Sequence, residues 1–312
     1  MRRKNVCFVG YGSTEYSRKS EESQLGHYAT AIRAALNQTG LKKKDIHGLS
    51  ITTQASPDTA PHVAEQLGFE LDWVLNADYG GAGGVGAVRR AADAIECGHL
   101  DVALLVGGNS FDRSVAHQRP LEYQRGNFVD VYGYGGPNSL MALIQRLHME
   151  NFGTTLEQIG KIAVAQRFNA MNNPQALFRA PMSMQDYLIS RMISDPIRLF
   201  DCVMPCSGAE CLILASEEKA KQISDKLVYL VTDAEKVHYQ VANMLPEKTT
   251  FGMKLVGEKI FSEVKREDID LFEIYDDYPI AVMIQIEDFG YCKKGDGGKF
   301  VDARDLTYKG DF

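Results

Sequence analysis

Residues 76–88 read NADYGGAGGVGAV, a glycine-rich turn between a short apolar strand and the start of a helix. Glycine lets the backbone come close to a ligand, and the free amides at a helix N-terminus attract negative charge. The spacing therefore predicts that Gly80, Gly81, Gly83 and Gly84 bind a phosphate, a carboxylate or an oxyanion. The turn follows the third predicted strand rather than the first, which disfavours a dinucleotide site. Close packing of the helix against a sheet is the alternative explanation for the glycines.

The sequence around this turn alternates short apolar runs with amphipathic stretches, the pattern of a parallel sheet covered by helices. Strands are predicted at residues 6–9, 46–52, 73–76, 100–107, 209–215, 227–233 and 270–275. Helices are predicted at residues 28–38, 61–67, 83–97, 139–151, 156–171, 254–264 and 279–289. From residue 111 to about residue 198, β-branched runs are rarer and helical segments more frequent, which indicates an inserted helical subdomain.

Composition disfavours several classes of function. The formal net charge is −7 and no basic run is longer than the three lysines at 42–44, so we expect no nucleic-acid partner. No stretch approaches the roughly 20 apolar residues of a membrane-spanning helix, so we expect no membrane association. The cysteines are scattered, and Cys202, Cys206 and Cys211 lack both a CxxC pair and a nearby histidine. We therefore expect reduced thiols, a cytoplasmic location and no metal site.

Several segments carry a resemblance to one family. The turn at 76–88 resembles the active-site segment of the thiolase superfamily, in which a strand delivers a nucleophilic cysteine to the N-terminus of a buried helix. Tyr79 stands at the position of that cysteine. Residues 148–158 and 172–174, together with SRMISDPIRLFDC at 190–202, resemble the loop domain of sterol-carrier-protein-x thiolases and thiolase-like lipid-transfer proteins, the acetyl-CoA acetyltransferase-like branch. Residues 207–209 read Ser-Gly-Ala where that family has Asp-Gly-Ala.

The second half of the sequence extends the resemblance. Residues 272–278 read FEIYDDY and are similar to the segment in which thiolases place an Asn or His of the oxyanion hole. Tyr275 occupies that position. Residues 300–312 resemble the approach to a final glycine-rich block. That block bears the remaining catalytic His or Tyr in the family, and this sequence lacks it.

The resemblance implies an α/β protein with the layered αβαβα thiolase fold, a helical loop-domain insertion and a truncated second half. The corresponding divisions are an N-terminal half at 1–110, a loop domain at 111–200, a return strand of the first half at 201–225 and an incomplete C-terminal half at 226–312. It also implies a homodimer and, as in some relatives, a small partner subunit with zinc-ribbon and oligonucleotide-binding (OB) folds. The substrate is expected to be an acyl-CoA thioester, with no permanently bound cofactor.

The tyrosine in place of cysteine changes the expected chemistry. A phenol has an ordinary pKa of about 10, so Tyr79 is a poor nucleophile compared with a cysteine thiolate. The resemblance therefore implies cleavage or formation of a carbon–carbon bond by retro-aldol chemistry, which needs a proton-transfer group and a site for a thioester enolate. Tyr275 or Tyr79 is the candidate proton-transfer group, with Asp276 or Asp78 beside it as orienting group or base.

Two other functions stay open at this point. An acyltransferase subunit would take its nucleophile from elsewhere in the chain or from another chain. A catalytically silent binding subunit would keep the fold without the chemistry. Each candidate tyrosine also has a plain structural alternative, a packed aromatic ring whose hydroxyl finds a backbone partner.

Overall fold

The computed structural model describes residues 5–52, 58–111, 132–133, 136–237 and 249–312. The chain forms two compact units, each described by itself below. Unit 1 comprises residues 1–117 and 205–233, and unit 2 comprises residues 118–204 and 234–312. The division into parts at 1–110, 111–200, 201–225 and 226–312 stays a prediction.

Unit 1 is built on a six-stranded mixed sheet. The described strands of the chain are β1 (Val6–Ser13), β2 (Gly48–Thr52), β3 (Trp73–Asn76), β4 (Val102–Asn109), β5 (Met192–Ser194), β6 (Ile197–Arg198), β7 (Gly208–Ser216) and β8 (Val228–Tyr229). The strand order in the unit 1 sheet is β3-β2-β4-β7-β1-β8. β2 is parallel to β3 and β4, but β7 is antiparallel to β4 and β1, so the predicted parallel sheet is only partly correct. Apolar runs indicate burial on both faces and do not specify strand direction.

Helices cover both faces of this sheet. The described helices of the chain are α1 (Gln24–Thr39), α2 (Ala60–Leu67), α3 (Gly83–Glu96), α4 (Pro137–Phe152), α5 (Leu156–Ala170), α6 (Met184–Ile189), α7 (Glu217–Ile223), α8 (Met253–Ile260), α9 (Pro279–Asp288) and α10 (Gly297–Ala303). α1 and α2 pack on the face that carries Leu49, and α3 packs on the opposite face with Leu105 and Leu214. α1 begins after the N-cap Ser23, a common start signal, and ends at Gly40 in the left-handed conformation, a common stop signal.

Unit 2 is largely helical and surrounds α9. Every residue of Pro279–Asp288 is buried, as expected for a helix that is apolar on all sides. α4, α5, α8 and α10 all contact it. α5 starts with a capping box in which Thr155 and Gln158 satisfy each other's backbone amides. Within the ranges that the structure describes, no helix is long and apolar enough to cross a membrane.

The strand predicted at residues 270–275 is wrong. This segment has no regular secondary structure, and no described strand pairs with it. A strand persists only where a neighbour completes its backbone hydrogen bonds. A side chain supplies one of those bonds here, because Gln285 Nε2 donates to the Tyr275 carbonyl at 2.7 Å. The strand predicted at residues 227–233 is confirmed only at Val228–Tyr229, where it pairs with β1.

Candidate active site

The glycine-rich turn of unit 1 joins the end of β3 to the N-terminus of α3. Gly80 has a φ of 61°, a backbone conformation that other residues rarely adopt. An added Cβ on Gly83 would lie 2.9 Å from the carbonyl oxygen of Ala77, so glycine is required where α3 begins. The N-cap Ala82 makes no side-chain hydrogen bond to the first helical amides. The turn therefore presents backbone amides without a side-chain cap, and ligand binding by Gly80, Gly83 and their neighbours stays a prediction.

Tyr79 lies in this turn, is 44% exposed, and packs one part of its ring against α3. An added Cβ on Gly86 would lie 2.6 Å from Tyr79 Cδ2, so the ring occupies the space that the missing side chain leaves. The Arg90 guanidinium lies 4.8 Å from the ring centroid, a cation–π contact. Asp78 is exposed. These contacts engage the ring of Tyr79 rather than its hydroxyl and favour the packing interpretation, and the catalytic roles of Tyr79 and Asp78 stay predictions.

Tyr275 lies in unit 2, shortly before α9, on a segment held by a buried amide. Gln285 Nε2 donates to the carbonyl of Tyr275 at 2.7 Å and to that of Ala281 at 3.0 Å. Tyr275 is 53% exposed. Burial of the rest of the ring, followed by the carboxyl groups of Asp277 and Asp276, raises the pKa of Tyr275. The phenol therefore stays protonated at neutral pH.

Asp277 is the acidic residue with the stronger electrostatic influence on Tyr275. Its carboxyl group is half-buried, and burial raises its pKa to about 6 against the lowering effect of the Tyr278 backbone N–H. Asp276 is exposed, and its Oδ2 accepts a hydrogen bond from Gln166 Nε2 at 3.0 Å. The electrostatic influence on Tyr275 thus favours Asp277, which was not predicted from sequence, over Asp276 as its acid–base partner. The role of Asp276 stays a prediction.

Tyr278 fixes this segment to the N-terminus of α4. Its buried hydroxyl donates to Asn138 Oδ1 at 2.5 Å, and the Cys202 thiol lies 3.6 Å from the same oxygen. Burial, followed by the Asp201 carboxyl, raises the pKa of Cys202 to about 11, so this thiol stays protonated and is a poor nucleophile. Asn138 and Tyr278 are 140 residues apart, and no local sequence pattern reveals such a contact.

The described part of the chain contains no cluster of side chains arranged to bind a metal ion. No group of three or more His, Cys, Asp or Glu side chains among those residues is placed to hold an ion. The cysteines at 202, 206 and 211 carry free thiols. Burial raises the pKa of each of these thiols, so they are protonated at neutral pH when no metal ion is bound.

A second polar cluster of unit 2 surrounds Glu287 near the end of α9. The donors to its carboxylate are His148 Nε2 (3.2 Å), Lys294 Nζ (3.0 Å) and the backbone amides of Gly295 (3.1 Å) and Gly297 (2.9 Å). The side chains of His148 and Glu287 are fully buried, and His148 Nδ1 lies 2.8 Å from Thr154 Oγ1. Burial acts to raise the pKa of Glu287, but His148 and Lys294 outweigh it and lower that pKa below its ordinary value. His148 and Glu287 are shielded from solvent, Lys294 is partly exposed, and the cluster joins α9, α4 and the loop that follows α9.

Comparison with known proteins identifies the family. The sequence profile of the thiolase C-terminal domain-like family matches residues 234–312. The steroid side-chain-cleaving aldolase of Thermomonospora curvata is 28% identical over 98% of this chain and 82% of its own length. The 17-hydroxy-3-oxo-4-pregnene-20-carboxyl-CoA lyase of Mycobacterium tuberculosis is 29% identical over 95% of this chain and 81% of its own length. The chain belongs to the thiolase superfamily.

This thiolase-superfamily chain also lies in the sterol-carrier-protein thiolase-like branch that residues 190–202 predicted. Sterol carrier protein 2 of Bos taurus is 31% identical over 99% of this chain and 61% of its own length. The solved structure of the Ltp2-ChsH2(DUF35) aldolase matches with a TM-score of 0.87 and 27% identity, over 96% of this chain and 80% of that chain. The predicted α/β, thiolase-like fold class is confirmed.

Proposed function

We propose that this chain is an enzyme that cleaves or forms a carbon–carbon bond in an acyl-CoA thioester by retro-aldol chemistry, without a cysteine acyl-enzyme. Two similar proteins are named as an aldolase and a CoA lyase, which supports this class of reaction. Tyr79 at the position of the thiolase cysteine argues against thiolysis. The observation that supports the proposal is that the half-buried carboxyl group of Asp277 acts electrostatically on the exposed Tyr275, in the segment that thiolases use for substrate.

The chemistry assigns one role to each member of the pair. In the cleavage direction the Asp277 carboxylate accepts the proton of a β-hydroxyl group. The oxygen forms a carbonyl, and the bond between Cα and Cβ breaks with its electron pair on Cα. The Tyr275 hydroxyl then gives its proton to Cα of the thioester enolate and recovers a proton from Asp277. The products are one aldehyde or ketone and one shortened acyl-CoA, with no oxidant or reductant consumed.

The pKa of Asp277 predicts how cleavage depends on pH. A base must be ionised to accept the β-hydroxyl proton, so kcat/KM is expected to rise with pH through an apparent pKa of about 6 and to level off above it. Asp277→Asn is expected to remove this rise and to lower kcat by roughly 100-fold, within the range of a lost acid–base group. The measurement is a pH profile of kcat/KM from pH 5 to 9. An unchanged rise in Asp277→Asn would assign the base to another residue.

The glycine-rich turn is proposed to bind the thioester oxygen. The uncapped amides at Gly80, Gly81, Gly83 and Gly84 and the positive end of the α3 dipole favour an oxygen on which negative charge develops. The acyl-CoA thioester is the substrate in this proposal, and no permanently bound cofactor is required.

One experiment separates this function from the two alternatives. The protein is incubated with acetyl-CoA and its intact mass is measured. A stable acyl adduct on a cysteine would support the acyltransferase and contradict the proposal. Absence of an adduct, combined with carbonyl release from β-hydroxyacyl-CoA, supports the retro-aldol enzyme. Absence of both, in a protein that still binds CoA thioesters, would support a catalytically silent binding subunit.

The assembly is proposed to be a homodimer formed through the edge of the unit 1 sheet. β3 is an edge strand of that sheet, and Val74 on it is 43% exposed. An edge strand has unpaired backbone groups that a second strand can complete. The solved aldolase is named for two proteins, Ltp2 and ChsH2(DUF35), which supports a partner subunit here. The zinc-ribbon and OB-fold type of that partner is what the sequence resemblance implies. Light scattering of the chain alone tests for the homodimer, and light scattering with such a partner tests for the complex. A cytoplasmic location stays a prediction.

A further inference from the structure

A β-bulge in β1 turns two side chains toward the α3 face of the unit 1 sheet. The register of β1 against β7 shifts between Phe8 and Gly10. Phe8 packs in the core cluster that α3 shares. Added Cβ atoms on Gly10 and Gly12 would clash with α1 on the other face, at 2.6 and 2.2 Å. Tyr11 and Ser13 therefore point to the α3 face. Bulges often redirect side chains beside active sites.

Ser13 is the last member of a row of paired residues that crosses four neighbouring strands of the sheet. Ser13 of β1 pairs with Glu210 of β7, Glu210 with Gly107 of β4, and Gly107 with Thr52 of β2. All four residues are partly exposed. Thr52 also contacts the start of α3, because an added Cβ on Gly83 would lie 3.5 Å from Thr52 Cβ. The row thus leads from the amides of the glycine-rich turn to the carboxylate of Glu210, over two strand spacings or about 10 Å.

Glu210 is held in place but keeps an open acceptor. The Tyr16 hydroxyl donates to Glu210 Oε1, and the Tyr16 ring lies on Gly208, where an added Cβ would be 2.6 Å from Cδ1. Glu210 Oε2 is shielded from solvent and has no hydrogen-bond partner among the described residues. A buried carboxylate oxygen without a donor is unfavourable, and a ligand that supplies one is favoured. The Tyr11 hydroxyl lies near Glu210, since burial, followed by a hydrogen-bond interaction with Glu210, raises the pKa of Tyr11. That hydroxyl does not meet hydrogen-bond geometry at Oε2.

We propose that Glu210 is a specificity-determining residue that accepts a hydrogen bond from a hydroxyl group on the distal part of the acyl chain. This inference rests on the proposed function, because it places the thioester oxygen at the glycine-rich turn and the acyl chain along the row of strands. The substrate class is then a CoA thioester whose acyl group carries a hydroxyl up to about 10 Å from the thioester, in addition to the reacting β-hydroxyl.

The test uses thioesters that the enzyme cannot cleave. Binding of octanoyl-CoA and 8-hydroxyoctanoyl-CoA, and of hexanoyl-CoA and 6-hydroxyhexanoyl-CoA, is measured by calorimetry. Neither pair has a β-hydroxyl, so retro-aldol turnover does not interfere. The unmodified protein is expected to prefer at least one hydroxylated member by about tenfold, the size of a charge-assisted hydrogen bond. Glu210→Gln and Glu210→Ala are expected to reduce the preference to less than about twofold.

Glu217→Gln is the matched control, because Glu217 is an acidic residue of the same unit paired with Lys221 at the surface. It is expected to keep the tenfold preference. Equal binding of both members of each pair to the unmodified protein, or a preference that Glu210→Gln leaves intact, would overturn the role of Glu210 while leaving the proposed retro-aldol function standing. Failure of every CoA thioester to bind would contradict the proposed function itself, and the inference with it.

Discussion

Tyr275→Phe is expected to lower kcat for cleavage of a β-hydroxyacyl-CoA by roughly 100- to 1,000-fold, because the phenylalanine cannot return a proton to the enolate carbon. KM is expected to change little, since the aromatic ring and the Gln285 contact to the backbone are kept. The half-exposed hydroxyl adds little to folding, so the free energy of unfolding is expected to stay within about 0.5 kcal/mol of the original. Steady-state kinetics and urea unfolding measure the two effects.

Tyr308→Phe is the matched control for this substitution. Tyr308 lies in the same unit, is 55% exposed, and its hydroxyl accepts a hydrogen bond from Asn172 Nδ2 at 2.6 Å. We expect its turnover to stay within about twofold of the original protein, as for a surface substitution. Full turnover by Tyr275→Phe would remove Tyr275 from the mechanism. An equal loss in both variants would indicate an indirect effect on unit 2.

Glu287→Ala is expected to cost about 3–5 kcal/mol of stability, the usual result of removing one partner from a buried ion pair. The substitution leaves the buried His148 Nε2 and the backbone amides of Gly295 and Gly297 without their acceptor, whereas Lys294 keeps Asp288 Oδ1 and the Thr249 carbonyl. Urea unfolding at pH 7 measures the loss. The folded state lowers the pKa of Glu287, so its contribution is present above the unfolded pKa and disappears as pH falls through the folded one. The difference between the two proteins should therefore narrow in acid.

Asp302→Ala is the matched control, because it removes a carboxylate that is paired with a lysine but is not buried. Asp302 pairs with Lys161, as Glu287 pairs with Lys294, but both side chains of the Asp302 pair are more than 40% exposed. An exposed pair contributes about 0.2–1 kcal/mol, so its removal should be nearly silent. If Glu287→Ala cost no more than Asp302→Ala, the buried cluster would not hold unit 2 together.

Much of unit 1 follows from sequence pattern. The predicted strand at 73–76 coincides with β3, and the predicted helix at 83–97 with α3 to within a residue. β1 runs on to Ser13, beyond the predicted end at residue 9. The difference has a physical cause, because Gly10 and Gly12 interrupt the apolar pattern where α1 packs directly on the strand. A pattern of apolar side chains cannot predict this part of the strand, because α1 packs where Gly10 and Gly12 have no side chain.

The site was less predictable than the fold. The family segment predicts Tyr275 with Asp276 or Asp78 as its partner, but the electrostatic influence on Tyr275 favours Asp277. Neighbouring aspartates are indistinguishable in sequence, and only burial separates the surface carboxylate from the half-buried one. Asn138 and Glu210 were missed for a related reason. Their partners Tyr278 and Tyr16 are 140 and 194 residues away, and only the folded chain brings them together.

The most direct test of retro-aldol cleavage is product analysis from a panel of β-hydroxyacyl-CoA thioesters with linear, branched and ring-containing acyl groups. Released carbonyl compound is trapped as a hydrazone and quantified with the shortened acyl-CoA in the same sample. We predict equimolar amounts of the two products from at least one thioester, and no cleavage of the matched thioesters without a β-hydroxyl. Binding of the whole panel without any carbonyl product, or acyl transfer to a cysteine in its place, would contradict the account.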